Sequence, residues 1–143
     1  MKIKNFVMIL VSFLLVFSFY VMSENGASEI KKLINNESFG DSFRISLKRQ
    51  YELGSNFNYN DYVFIYSCGG GAICGNIFDS KEKIVVDFPS EFLIDSQDGD
   101  FNLDYNLGSN KICFTGESAF NGEFYDDKCY ELVSGSLIPQ VIF

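Results

Sequence analysis

The sequence holds four cysteines and no histidine behind an apolar N-terminal run, and this pairing limits its fold more than any other feature. Two of the cysteines flank three consecutive glycines in YSCGGGAICG, residues 66–75. A phosphate-cradling loop needs Lys-Ser or Lys-Thr after the glycines, but Ala72-Ile73-Cys74 follows Gly71. A thioredoxin-like centre needs Cys-x-x-Cys at a helix start, and here five residues separate the cysteines between two strand-like runs. Structural zinc favours close cysteine pairs, often with histidine. What fits is a stapled turn: glycine tolerates the positive φ of a tight reversal, so Cys68 and Cys74 can face each other across it. Four cysteines allow three connectivities. Cys68–Cys74 with Cys113–Cys129 is preferred, and bonds between the two pairs across the sheet remain open. No metal and no cofactor are expected.

The first residues fit a secretory leader. Lys2 and Lys4 precede an apolar run from Phe6 to Met22, and Val21-Met22-Ser23 suits a cleavage site before Glu24. The expected organisation is a signal peptide at 1–23 and a single domain at 24–143. An uncleaved anchor is the alternative, but the run is short for a membrane span of ~20 residues. Removing 1–23 takes away two lysines and leaves nine basic against nineteen acidic residues, a net charge of −10. Such a protein repels nucleic acid and anionic lipid and attracts cationic partners. Paired cysteines in an exported domain imply an oxidising compartment. Abundant Asn, Ile, Lys and Phe suggest an AT-rich bacterial genome. The expected location is therefore the periplasm or the exterior, with no stable membrane association after cleavage.

Residues 24–53 read as helical. Ile30, Leu33 and Ile34 make one apolar stripe. After Gly40, Asp41 or Ser42 can cap a second helix carrying Phe43, Leu47 and Tyr51 and ending at Gly54. Arg44, Lys48 and Arg49 form the one basic cluster of the mature protein. Beyond Gly54 the pattern changes to strands at 61–67, 74–79 and 83–88, the last stopped by Pro89. FPSEFLIDS reads as a loop. DFNLDYNLGS, 100–109, alternates strictly and predicts a half-buried strand. NKICFTG, 110–116, follows, and Ser134-Gly135 predicts a closing hairpin. The expected fold is α+β: N-terminal helices packed on an antiparallel β-meander of about six to seven strands, stapled by disulfides.

Chemistry-bearing candidates are few. Asp98, Asp100 and Asn102 match the first oxygen positions of a calcium loop, but Leu103 stands where glycine is needed and Ser109 where glutamate is needed. Without histidine there is no Ser–His or Cys–His nucleophile. Paired carboxylates acting as acid and base remain, with Asp79, Asp87, Glu91 and Asp95 near strand ends. Tyr59, Tyr62 and Phe120 are candidates for an exposed aromatic patch.

The stretch 54–89 resembles a small exported bacterial domain family, on Asn56-Phe57, Tyr62, Cys68-Gly69, Gly71, Gly75 and Asp79. Ser109 and Gly116, then Tyr130, Gly135 and Leu137 in a closing hairpin, extend the likeness over residues 43–138. Ala72 stands where the family has its second cysteine, Asp61 where it has a histidine, and Tyr66-Ser67 where it has a tryptophan. The resemblance implies export and the fold; it carries no activity.

Together these readings lead to a non-enzymatic binding, inhibitor or immunity module that engages a basic protein. A carboxylate-dependent enzyme acting on cell-wall glycan and a structural envelope protein are the alternatives.

Overall fold

The computed structural model describes residues 26–141, so the expected leader at 1–23 lies outside the described residues. Among these, residues 26–34 (α1) and Asp41–Leu53 (α2) are helical. Eight strands follow: β1 Tyr62–Gly69, β2 Ala72–Asp79, β3 Ile84–Asp87, β4 Phe92–Leu93, β5 Asn102–Tyr105, β6 Lys111–Glu117, β7 Phe124–Val133 and β8 Ser136–Pro139. The α+β reading holds, but the single meander does not. The strands form two antiparallel four-stranded sheets, β1-β2-β3 with β4 also on β2, and β5-β6-β7-β8. No helix among the described residues is long and apolar enough to cross a membrane.

The reason is legible in β1. Its residues are apolar on both faces, and successive side chains point opposite ways. Val63 joins Ile77, Val86, Phe92, Ile112 and Phe114 in a core between the sheets. Phe64, with Phe78, faces the helices and packs on Ile30, Phe43 and Leu47. The first sheet is thus a middle layer, covered by helices on one face and by the second sheet on the other. Phe92 sits at the centre of the inner core, its ring 4.9 Å from Phe101, 5.1 Å from Tyr125 and 5.7 Å from Phe114. Burying side chains of this size contributes roughly 1.5–3 kcal/mol each.

Three local expectations need correction. Gly40 precedes α2 as its N-cap and brings no capping side chain, and Asp41 instead pairs with Arg44 in the first turn. The strand expected over 100–109 is only Asn102–Tyr105, because Asn106 turns the backbone by accepting the Gly108 amide on its side chain, at 3.0 Å. The loop after Pro89 contains β4. Proline ends β3, and the backbone then returns to the same edge of β2, with Asn76 opposite Asp87 but Ile73 opposite Phe92. The hairpin at Ser134-Gly135 forms as expected, with φ of 47° and 74°.

Asp61 is buried at 3 % exposure and organises the entry to β1. Its carboxylate accepts the Ser80 amide and the Asn58 side chain, both at 2.8 Å. Burial pushes its pKa up, the two hydrogen bonds pull the other way, and nearby Asp79 adds to the rise. A folded pKa above the unfolded one means that ionised Asp61 costs stability at neutral pH. That cost is relieved as pH falls through the folded pKa and is gone below the ordinary carboxyl value. The wild type should therefore gain stability relative to Asp61→Asn between pH 7 and pH 4, as read by urea unfolding at each pH.

Candidate functional site

The two cysteine pairs close as preferred. Cys68 and Cys74 join β1 to β2 with their Cα atoms 5.6 Å apart, and Cys113 and Cys129 join β6 to β7 at 4.0 Å. The opening glycines are the turn itself: Gly69, Gly70 and Gly71 all have left-handed φ, at 96°, 62° and 78°. These bonds place the folded protein in an oxidising environment.

The detour from β3 to β4 opens a cleft beside this staple. The register steps by two residues between the Asn76–Asp87 and Ile73–Phe92 pairs, so that after Phe88, whose amide still donates to the Gly75 carbonyl, Pro89, Ser90 and Glu91 leave the sheet edge. The ring of Phe88 folds over Gly75, where a Cβ would stand 2.0 Å from its Cε2. On the other side the 118–121 turn rises from β6. Ser118 and Ser90 share a hydroxyl hydrogen bond of 2.6 Å, and the Ala119 amide donates to the Glu91 carbonyl at 2.8 Å. These contacts lock the second sheet onto the edge of the first. The space between is about 470 Å³, walled by Tyr66, Asn76, Asp87, Glu91, Ser118 and Phe120 among others.

A hydrogen-bonded relay with a buried centre orients one wall. The Tyr66 hydroxyl donates to Asn76 Oδ1 at 2.9 Å, and Asn76 Nδ2 donates to Asp87 Oδ1 at 2.6 Å. Asn76 is 3 % exposed, so its amide is fixed by these two partners. Glu91 stands across the cleft near the staple, its carboxylate within 4.8 Å of both Cys68 and Cys74 sulfurs. No lysine or arginine among the described residues lines the space. Among the described residues no cation pairs with Asp87 or Glu91. The Tyr66 phenol is pushed above its ordinary value, first by burial, then by the charges of Asp87 and Glu91. Removing one charge with Asp87→Asn should bring the Tyr66 ionisation back toward the usual tyrosine range. Carbon-13 NMR of labelled tyrosine through an alkaline titration reads that shift.

Of the four carboxylates read as acid–base candidates, the structure brings two together. Asp87 and Glu91 share the cleft. Asp79 is buried and caps the turn after β2, accepting the Lys81 and Glu82 amides at 3.0 Å. Asp95 is exposed beyond β4. Asn102 and Asp104 stand on the solvent face of β5, with Leu103 and Tyr105 turned to the core. The aromatic patch does not assemble: Phe120 lines the cleft at 92 % exposure, Tyr59 is exposed beside the Leu107 carbonyl that accepts its amide, and Tyr62 packs between helix and sheet near Tyr51 and Phe78. Asn76 and Ser118 were not singled out by the sequence. The available signal was Asn76 itself, a lone amide in the apolar run of β2.

Chemically, the cleft offers two carboxylates, a relay that holds one of them, and an exposed ring. Carboxylates accept hydrogen bonds from an ammonium or a guanidinium, and a ring covers the aliphatic stem of such a side group. No family model, no curated protein and no solved structure matches this sequence, so the site is read from its own geometry.

Proposed function

We propose that this protein is an exported, non-enzymatic binding module that captures and neutralises a basic protein, of the kind that degrades cell walls. The observation that carries the reading is the cleft with Asp87 and Glu91 and, among the described residues, no balancing cation. The net charge of −8 supports it by raising the local concentration of cationic partners. Two disulfides support work outside the reducing cytosol, in the periplasm or beyond the cell. A lysine or arginine of the partner enters between the carboxylates, its stem against Phe120.

A second reading has one specific observation behind it. Asp87 and Glu91 face one cleft, as an acid–base pair on glycan must. One experiment separates the two. The protein is added to a basic lysozyme acting on purified cell walls, and to the same walls without the lysozyme. Capture gives salt-sensitive inhibition in the first case and no release of reducing ends in the second. Release of reducing ends that Asp87→Asn abolishes would replace the binding reading with the enzymatic one.

A further inference from the structure

The basic cluster of α2 and the outer edge of β1 play no part in the acidic cleft, and they meet elsewhere. Among the described strands β1 pairs only with β2, so one of its edges faces away from the sheet. Hydrogen bonds show which residues point outward. Asp61 exchanges bonds with Phe57, at 2.9 and 3.3 Å. Two residues on, the Asn56 side chain stands in for a neighbouring strand: its Oδ1 accepts the Val63 amide at 2.8 Å and its Nδ2 donates to the Val63 carbonyl at 2.9 Å. In an antiparallel ladder outward groups recur at every second residue. The next positions are therefore Ile65 and Ser67, and among the described residues neither has a partner on that side.

A cavity of about 220 Å³ opens beside this edge, in the seam between β1, β5 and α2. Val63, Phe64, Ile65 and Leu103 give it an apolar side and Ser46, Gln50 and Tyr105 a polar one, and among the described residues Arg49 is the one charged residue lining it. Arg49 is exposed and forms no ion pair among the described residues, whereas Arg44 is held by Asp41. Unpaired main-chain groups, a hole with an apolar side that fits one aliphatic side chain and an unmatched guanidinium together describe a peptide-strand acceptor.

We infer that the edge of β1 binds an extended peptide segment by strand addition, with its backbone on Ile65 and Ser67, an aliphatic side chain in the cavity and a carboxylate on Arg49. The carboxylate is a free C-terminus or an Asp or Glu side group; both present the same planar pair of oxygens to a guanidinium. A second copy of this protein fits less well. Pairing through the same edge, it would bring another Arg49 in place of a carboxylate. The site is separate from the acidic cleft and stands whether or not that cleft captures a basic protein.

The test uses the full exported protein with two displayed libraries of random octapeptides, one with free C-termini and one embedded in a loop. Enriched peptides are synthesised and titrated while NMR follows amide exchange. The expected result is enrichment of peptides with an aliphatic residue near a carboxylate, together with slowed exchange at Ile65 and Ser67. The library that enriches tells which source of carboxylate is used. Arg49→Glu should weaken binding by about tenfold or more, the scale of one charge-assisted contact. Ser67→Pro removes only an outward amide, since β1 pairs with β2 through Tyr62, Phe64 and Tyr66, and should weaken binding with near-UV circular dichroism unchanged. Enrichment without protection at Ile65 and Ser67, indifference to both substitutions, or no enrichment from either library would overturn the inference. So would protection that rises with protein concentration and no peptide, which would make the edge a self-interface.

Discussion

Gly75→Ala should destabilise the protein by about 3 kcal/mol, the upper end of what overpacking a filled core costs. The added methyl would stand 2.0 Å from Cε2 of Phe88, and two further ring carbons lie within 2.6 Å. Neither side has room to retreat. Gly75 is buried in β2 between β1 and the detour, and the Phe88 amide is tied to the Gly75 carbonyl at 3.1 Å. The melting temperature should fall by on the order of 10 °C. The ring is named as the cause, so the effect should shrink when the ring does. Phe88→Leu costs stability alone, yet in the double variant the two losses should fall short of additive by at least about 1 kcal/mol. Additive losses would place the strain elsewhere. Because Phe88 floors the cleft, the same variant should also weaken partner binding.

Removing the disulfides should have effects of similar size. In the loop-entropy account, loss of the Cys68–Cys74 bond costs about 2 kcal/mol and loss of Cys113–Cys129 about 3. The order follows from sequence separations of 6 and 16. Together they approach the lower end of a small domain's whole stability, roughly 5 kcal/mol. Urea unfolding of Cys68→Ala/Cys74→Ala and Cys113→Ala/Cys129→Ala variants should rank them in that order, and the reduced protein should be largely unfolded at 37 °C. The pairs should also differ in function. The first closes the hairpin beside Glu91 and Tyr66, so its loss should weaken partner binding beyond what lost stability explains. The second lies between β6 and β7, and its loss should leave the affinity of the remaining folded protein unchanged.

The sequence announced its punctuation more clearly than its layers. Cys68, the glycines and Cys74 specify a closed turn because each residue type acts locally. Ser134-Gly135 does the same for the last hairpin, and Gly54, with φ of 100°, for the end of α2. The split into two sheets was hidden because β1 and β2 are apolar on both faces. A strand buried on both sides loses the alternation that assigns its faces. Pro89 says that β3 stops, but nothing local says that Phe92 rejoins the same edge of β2; that depends on the core formed with Phe101, Phe114 and Tyr125. The cleft was the least legible part. Tyr66, Asn76, the Asp87–Glu91 pair and Ser118 lie ten or more residues apart in sequence, on strands and in the turns that follow them. Among nineteen acidic residues, nothing in the sequence sets Asp87 and Glu91 apart. The register step at Pro89 does so.

Whether those two carboxylates, rather than bulk negative charge, make the binding surface is tested most directly by isothermal titration against one basic lysozyme. The titration compares Asp87→Lys/Glu91→Lys with Asp95→Lys/Asp104→Lys, which changes the net charge equally at residues outside the cleft. The cleft pair should lose about a hundredfold or more in affinity, the scale of two charge-assisted contacts, while the distant pair loses only a few-fold through weaker steering. Equal losses for the two variants, or an unchanged affinity for Asp87→Lys/Glu91→Lys, would contradict capture by the cleft.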